Sequence, residues 1–255
     1  MHIQRRYAAI LTVAAAVAVV TTGLAVANTA SNGNVSGGVF KFAPKKVPKK
    51  KFHKGALTLG TSTQFAHPAN QPGGFTNRVQ LWIDDDIKIN LNSVPKCSPA
   101  GLTSGTTMAQ AMAQCGKAKV GEGRAHTGNN TGQPVVPGCV LVFNGVNSQV
   151  VLYARLFSSE PLDCSHPSTN NKGQTSVTLF GKLKKASGDF GSRLDVDTTV
   201  TAPVPLGDFT ATIKRGNYAT ARCHDSNHTW NVKVKHTYND GVNSVDKLKQ
   251  KCRVS

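Results

Sequence analysis

Cys223-His224-Asp225-Ser226-Asn227-His228 gathers a thiol, two imidazoles, a carboxylate and a hydroxyl in one short stretch, with His236 shortly after it. In nucleophilic catalysis, His224 or His228 would serve as base and Ser226 or Cys223 as nucleophile. Against this, groups in one tight turn do not line up as nucleophile, base and orienting acid, because triads are assembled from distant segments. Cys223 also has a disulfide partner on offer in Cys252. In metal binding, His224, His228 and His236 would be the ligands, with Asp225 available as a further one. Nothing in the sequence makes them converge, and the alternation around His236 turns it towards the core. The plainer reading is a polar hairpin loop followed by a semi-buried histidine. The expectation is therefore no catalytic residue, no metal and no cofactor.

Asp84-Asp85-Asp86 clusters the carboxylate oxygens that a hard cation such as calcium takes. Ile87-Lys88-Ile89 follows, however, where a calcium loop needs further oxygen ligands and a glycine. The chain has no Gly-x-Ser-x-Gly, Walker loop, His-Glu-x-x-His or dinucleotide fingerprint. Asn34, Asn129 and Asn227 stand in Asn-x-Ser/Thr acceptor patterns.

Charge is the stronger signal. The 255 residues carry 30 Lys and Arg against 13 Asp and Glu, a net +17. No acidic residue precedes Asp84. Lys45, Lys46, Lys49, Lys50 and Lys51 form a polybasic arm within residues 39–54, which two prolines keep extended. Such an arm reads both as an edge strand whose lysines block pairing with other chains and as a contact for an anionic polymer or lipid surface. Near the C-terminus, Trp230, Val232, Val234, His236 and Tyr238 share one parity. Lys233 and Lys235 take the other, and Lys247, Lys249, Lys251 and Arg253 do the same in the next strand. Paired across Asn239-Asp240-Gly241, these strands would show six cations on one solvent face. The bland alternative is that lysines simply occupy the wet side of an outer sheet. Lys182 and Lys184, set beside Arg193, Asp195 and Asp197, read as mutual neutralisation between two paired strands.

These residues need a framework, and the N-terminus suggests where it forms. Arg5 and Arg6, an apolar run from Tyr7 to Val20, and Ala25-Val26-Ala27 have the layout of a signal peptide over residues 1–27, with an uncleaved membrane anchor as alternative. In an exported chain six cysteines read as disulfides, and chain order pairs Cys97 with Cys115, Cys139 with Cys164 and Cys223 with Cys252. Loops of this size are worth about 3 kcal/mol each in the chain-entropy account.

Residues 28–38, rich in Asn, Ser, Gly and Thr, read as a disordered spacer. From Ala56 onward the period is mostly two. Val79, Leu81, Ile83, Ile87, Ile89 and Leu91 mark one strand or two in line, with a bulge or bend turning Asp85 outward. Further strands are expected near 117–125, 139–144, 149–157, 175–185, 190–201, 208–215, 217–224, 229–238 and 242–254. One helix is expected, capped by Thr106 or Thr107, apolar at Met108, Ala111, Met112 and Cys115, and stopped by a left-handed Gly116. This is the signature of an all-β protein: a disulfide-stabilised antiparallel β-sandwich, immunoglobulin-like or related, as a single domain over 39–255.

Phe42-Ala43-Pro44-Lys45-Lys46-Val47-Pro48-Lys49-Lys50 is one of three familiar stretches. The second runs from Ile87 to Cys97 and through the small helix to Cys115-Gly116-Lys117-Ala118-Lys119-Val120-Gly121-Glu122-Gly123. The third is Tyr218-Ala219-Thr220-Ala221-Arg222-Cys223, ending in Tyr238-Asn239-Asp240-Gly241 and Cys252. Together they resemble a group of secreted actinobacterial proteins without assigned function. The resemblance implies an extracellular β-sandwich and supplies no catalytic residues; Cys139 and Cys164 are not part of its pattern. The functional expectation is a secreted or envelope-associated, non-enzymatic protein. Its basic faces would contact an anionic envelope polymer, acidic lipid or extracellular DNA. A passive structural domain and a secreted hydrolase acting on cell-wall or extracellular substrates are the alternatives. The mature chain should begin at Asn28: N-terminal sequencing of the exported protein should read Asn28-Thr29-Ala30, and an intact Met1 would refute it.

Overall fold

The computed structural model describes residues 27–127, 136–157, 175–199, 205–224 and 228–255. Residues 1–26 of the expected export signal lie outside them, as do Cys164, Asn129 and Asn227. The strands are β1 (Asn28–Thr29), β2 (Val35–Ala43), β3 (Lys46–Val47), β4 (His53–Lys54), β5 (Ala56–Gln64), β6 (Thr76–Asp84) and β7 (Ile87–Ile89). Helix α1 (Met108–Cys115) precedes β8 (Lys119–Thr127), β9 (Val136–Asn144), β10 (Gln149–Leu156), β11 (Thr175–Lys185) and β12 (Phe190–Asp197). The chain ends with β13 (Leu206–Ile213), β14 (Ala219–Ala221), β15 (Thr229–Tyr238), β16 (Asn243–Lys251) and β17 (Arg253–Val254).

Twelve strands form one antiparallel sheet in the order β1-β2-β5-β13-β8-β9-β10-β11-β12-β6-β15-β16. The all-β, antiparallel expectation holds, but the sandwich does not. This sheet curls until its ends meet, making a nearly closed barrel. Inward residues such as Leu59, Val79, Leu81, Val142, Val150, Leu194, Val196, Ala211 and Ile213 fill a common core. Alternation alone could not separate the two architectures, because both bury one face of every strand. The curling depends on glycine where strands approach closely. A Cβ on Gly123 would lie 1.9 Å from the Thr210 carbonyl oxygen, and one on Gly121 2.4 Å from that of Thr212.

Strands β9 and β10 are buried on both faces, which explains their unbroken apolar run. Val140, Val142, Val150 and Leu152 point into the barrel. Leu141, Phe143, Val151 and Tyr153 point outward and are covered by Met108, Ala111 and Cys115 of α1. A capping box starts the helix: Gln110 N donates to Thr107 Oγ1 at 3.2 Å, and Thr107 N donates to Gln110 Oε1 at 2.7 Å. Gly116 is not left-handed as expected. Its φ is −59°, and the chain passes directly into a 3-10 turn. Cys97 and Cys115 are bonded, with Cα atoms 5.2 Å apart, and fasten the helix to the loop after β7. Cys223 and Cys252 are bonded likewise, at 6.0 Å. Cys139 is buried in β9, and the expected partner lies outside the described residues.

The stretch 28–38 is not a spacer. It forms β1 and the start of β2, because its small residues permit close packing: a Cβ on Gly38 would come 2.8 Å from Leu248 Cδ1. Asn34 is fully buried, donating to Gly73 O at 2.8 Å and accepting from Ala66 N at 2.9 Å, so it is no surface acceptor for a glycan. Asp84 and Asp86 are buried and Asp85 is exposed, the bend expected between β6 and β7.

The barrel closes by side chains. Between β2 and β16, Gln250 accepts from Phe42 N at 2.6 Å and donates to Phe42 O at 2.8 Å, standing in for a strand neighbour. Ser36 Oγ donates to Asp246 Oδ2 at 2.8 Å, and Asn28 Nδ2 to Val245 O at 3.0 Å. Behind this seam His236 is 1 % exposed, bonded to Thr61 Oγ1 and 3.6 Å from Asp246. Burial holds its imidazole down to about 4 and pushes the Asp246 carboxyl up.

Replacing Gln250 by Ala strands two backbone groups of the buried Phe42 and should cost about 2 kcal/mol in urea unfolding, whereas Lys249→Ala should cost little. His236 gives a pH signature. Its folded pKa lies below the ordinary 6.5, so the unfolded chain binds the extra proton. Stability should fall as pH drops from 6.5 towards 4, with a slope of up to about 1.4 kcal/mol per pH unit. Asp246 acts in the opposite sense, so the decisive measurement is the loss of this slope in His236→Asn.

Candidate functional site

The two basic clusters, far apart in sequence, meet in space. Strand β3 runs parallel to β17, with Lys46 opposite Arg253 and Val47 opposite Val254. Arg253 N donates to Lys45 O at 2.9 Å and Ser255 N to Val47 O at 3.0 Å. Val47 is fully buried and anchors the arm. Pro44, Lys45, Lys46, Lys251 and Arg253 then line an open groove of about 530 Å³.

The other expected cations flank this groove. Lys49, Lys50 and Lys51 are exposed in the bend after β3, and Lys247 and Lys249 are exposed on β16 beside Lys251. On β15, Lys233 pairs opposite Lys247, and Lys235 opposite Val245. Lys233 is partly spoken for: its Nζ sits 3.8 Å from the centroid of the Trp82 ring. Among the described residues, no ion pair neutralises any of these eleven cations.

Neutralisation occurs where it was expected. On the β11, β12 and β6 face, Asp195 receives Lys184 at 2.8 Å, Arg193 at 2.8 Å and Arg78 at 3.2 Å, with Gln80 at 2.9 Å. Burial would raise this carboxyl, yet the hydrogen bonds from Lys184, Gln80 and Arg193 hold it at about 2. Those contacts tie the three strands together through one carboxylate.

A second constellation forms where the sequence showed only its parts. Strand β14 pairs antiparallel with β7, Ala221 opposite Ile87, which sets Arg222 against Asp86. Arg222 N donates to Asp86 O at 3.0 Å, and its Nε to Asp86 Oδ1 at 2.6 Å. The other carboxylate oxygen, Oδ2, lies 2.5 Å from His224 Nδ1 and 3.3 Å from His228 Nε2. Asp86 is fully buried, His228 a quarter exposed and His224 about half exposed. Asp84 backs the group. Its oxygens accept from Asp86 N at 3.0 Å and Asn231 N at 2.8 Å, while desolvation raises its carboxyl against those bonds.

This differs from both sequence readings of metal chemistry. His236 takes no part, being buried at the barrel seam, and Asp225 lies outside the described residues. Asp86 supplies the carboxylate instead. Alternation placed Asp85, not Asp84 or Asp86, on the apolar face, so it gave no sign of a buried pair, and only the β7–β14 pairing brings Asp86 to the histidines. Of the catalytic reading, Cys223 is withdrawn by its bond to Cys252, and Ser226 lies outside the described residues. Among the described residues, no helix is long and apolar enough to cross a membrane. No protein-family model, curated protein or solved structure matches this chain.

Proposed function

We propose that this chain is an exported, non-enzymatic protein of the extracellular space or cell envelope, similar to the secreted actinobacterial group it resembles, and that it binds phosphate-bearing polyanions. The observation that carries this reading is the groove in which Lys45 and Lys46 of the arm meet Lys251 and Arg253 of the last strand. Four cations around one concavity, with no described carboxylate paired to them, attract a polyanion by their summed field and by release of its counterions. The flanking Lys49, Lys50, Lys51, Lys247 and Lys249 extend the positive field beyond the groove. The disulfides support an oxidising compartment, where such bonds persist. Teichoic-type polymers, acidic lipid headgroups and extracellular DNA share the ligand chemistry.

Binding to fluorescent duplex DNA, a teichoic-type polymer and phosphatidylglycerol vesicles should be measurable at low salt and weaken as salt rises. Replacing Lys45, Lys46, Lys251 and Arg253 together by Gln should weaken it at least tenfold and flatten the salt dependence. Undetectable binding of the wild-type protein at low salt, or unchanged binding by the quadruple variant, overturns the reading.

A further inference from the structure

We infer that Asp86, His224 and His228 form a binding site for a divalent transition metal of the zinc class. The inference is independent of polyanion binding. Two imidazole nitrogens and one carboxylate oxygen are a donor set suited to such an ion, and their ligand atoms lie within 4.8 Å of one another. The separation of His228 Nε2 from Asp86 Oδ2, 3.3 Å, is about what two neighbouring ligands of a tetrahedral ion need, and the half-exposed His224, its Nδ1 2.5 Å from Oδ2, has to draw back to admit one.

The arrangement explains two otherwise costly atoms. Asp86 Oδ2 and His228 Nε2 are both buried, and neither makes a hydrogen bond of acceptable geometry. His224 Nδ1 is close to Oδ2 but poorly aligned with it. Desolvated groups of this kind are normally paired. Here they converge on a shared point, and a cation there would satisfy them together. The carboxylate is also held as a metal ligand should be. Arg222 Nε occupies Oδ1 and leaves Oδ2 free to coordinate, the outer-sphere orientation that good sites have.

Several ties hold the described part of the frame. Asp86 follows the bend after β6, and the Cys223–Cys252 bond immediately precedes His224. Cys252 N donates to His228 O at 3.1 Å, and Trp230 Nε1 to Arg222 O at 2.8 Å. His224 gives access to solvent. In the metal-free form its Nε2 lies 3.2 Å from Arg222 Nη2 and can accept from it, which puts the ring proton on Nδ1. Coordination through Nδ1 moves that proton to Nε2 and replaces both this exposed contact and the direct approach of Nδ1 to Asp86 Oδ2. Three protein ligands leave a fourth position for water or an anion, the composition of an open zinc site.

The test uses the full mature chain with its disulfides intact, stripped with a chelator and titrated with Co²⁺ and Zn²⁺. The expected result is one equivalent bound per chain, visible d–d absorption from cobalt, its displacement by zinc, and a higher melting temperature with metal. His224→Ala and His228→Ala should each weaken binding at least tenfold, while His126→Ala, on β8 of the barrel, should leave it unchanged. Should His228→Ala fail to fold, as judged by circular dichroism, the half-exposed His224 decides. Absence of stoichiometric binding by the wild-type chain, or equal binding by the wild type and His224→Ala, overturns the inference. Neither result bears on the groove, because Lys45, Lys46, Lys251 and Arg253 are untouched.

Discussion

The bond between Cys223 and Cys252 is the constraint on which the rest of this end of the molecule depends. Cys223 follows β14 and Cys252 lies between β16 and β17, so one covalent link joins the small β4-β14-β7 sheet to the last strand of the barrel. Cys223 N also donates to Pro48 O at 3.1 Å, which ties in the basic arm. Without that link three short elements would have to hold one another by a few backbone hydrogen bonds. Strands of two or three residues do not form on their own.

Two chemically opposite surfaces sit around this tie. On one side are the cations of the groove, with no carboxylate paired to them among the described residues. On the other are Asp84 and Asp86, buried and shared among Arg222, His224 and His228. Keeping them apart has a physical logic. A carboxylate facing the groove would cancel its field, and a lysine reaching Asp86 would take the Oδ2 that the two histidines approach. The barrel supplies the stiffness for both. Its core is continuous from Leu57 and Phe42 at this end, where Phe42 meets Trp230 edge-on at 5.3 Å, to Leu152 and Leu179 deeper in.

Much of the fold was legible in the residue pattern. The period of two along Val79–Ile83 and Trp230–Tyr238 identified strands and their inward faces. The lysines opposite Leu248 were placed outside, and Met108, Ala111 and Cys115 identified helix α1. These features depend on neighbours in sequence, and local sterics impose them. Where the reading failed, the failing quantity was non-local. Asn, Ser and Gly over 28–38 suggested disorder because composition does not say that small residues are needed for β2 to approach Leu248. Gly116 does end the helix, as its type suggested, but in a right-handed conformation that leads into a 3-10 turn with Ala118 buried.

By itself, then, the sequence determined the strand faces, the surplus of positive charge and which side chains carry it. Sheet closure, and therefore barrel over sandwich, was decided only in three dimensions. So were the meeting of Lys45 and Lys46 with Lys251 and Arg253, and the approach of Asp86 to His224 and His228. The reason is common to all three. Side-chain direction follows from each residue's own backbone, whereas adjacency of strands separated by a hundred residues or more follows from how the whole core packs, and no local pattern encodes that.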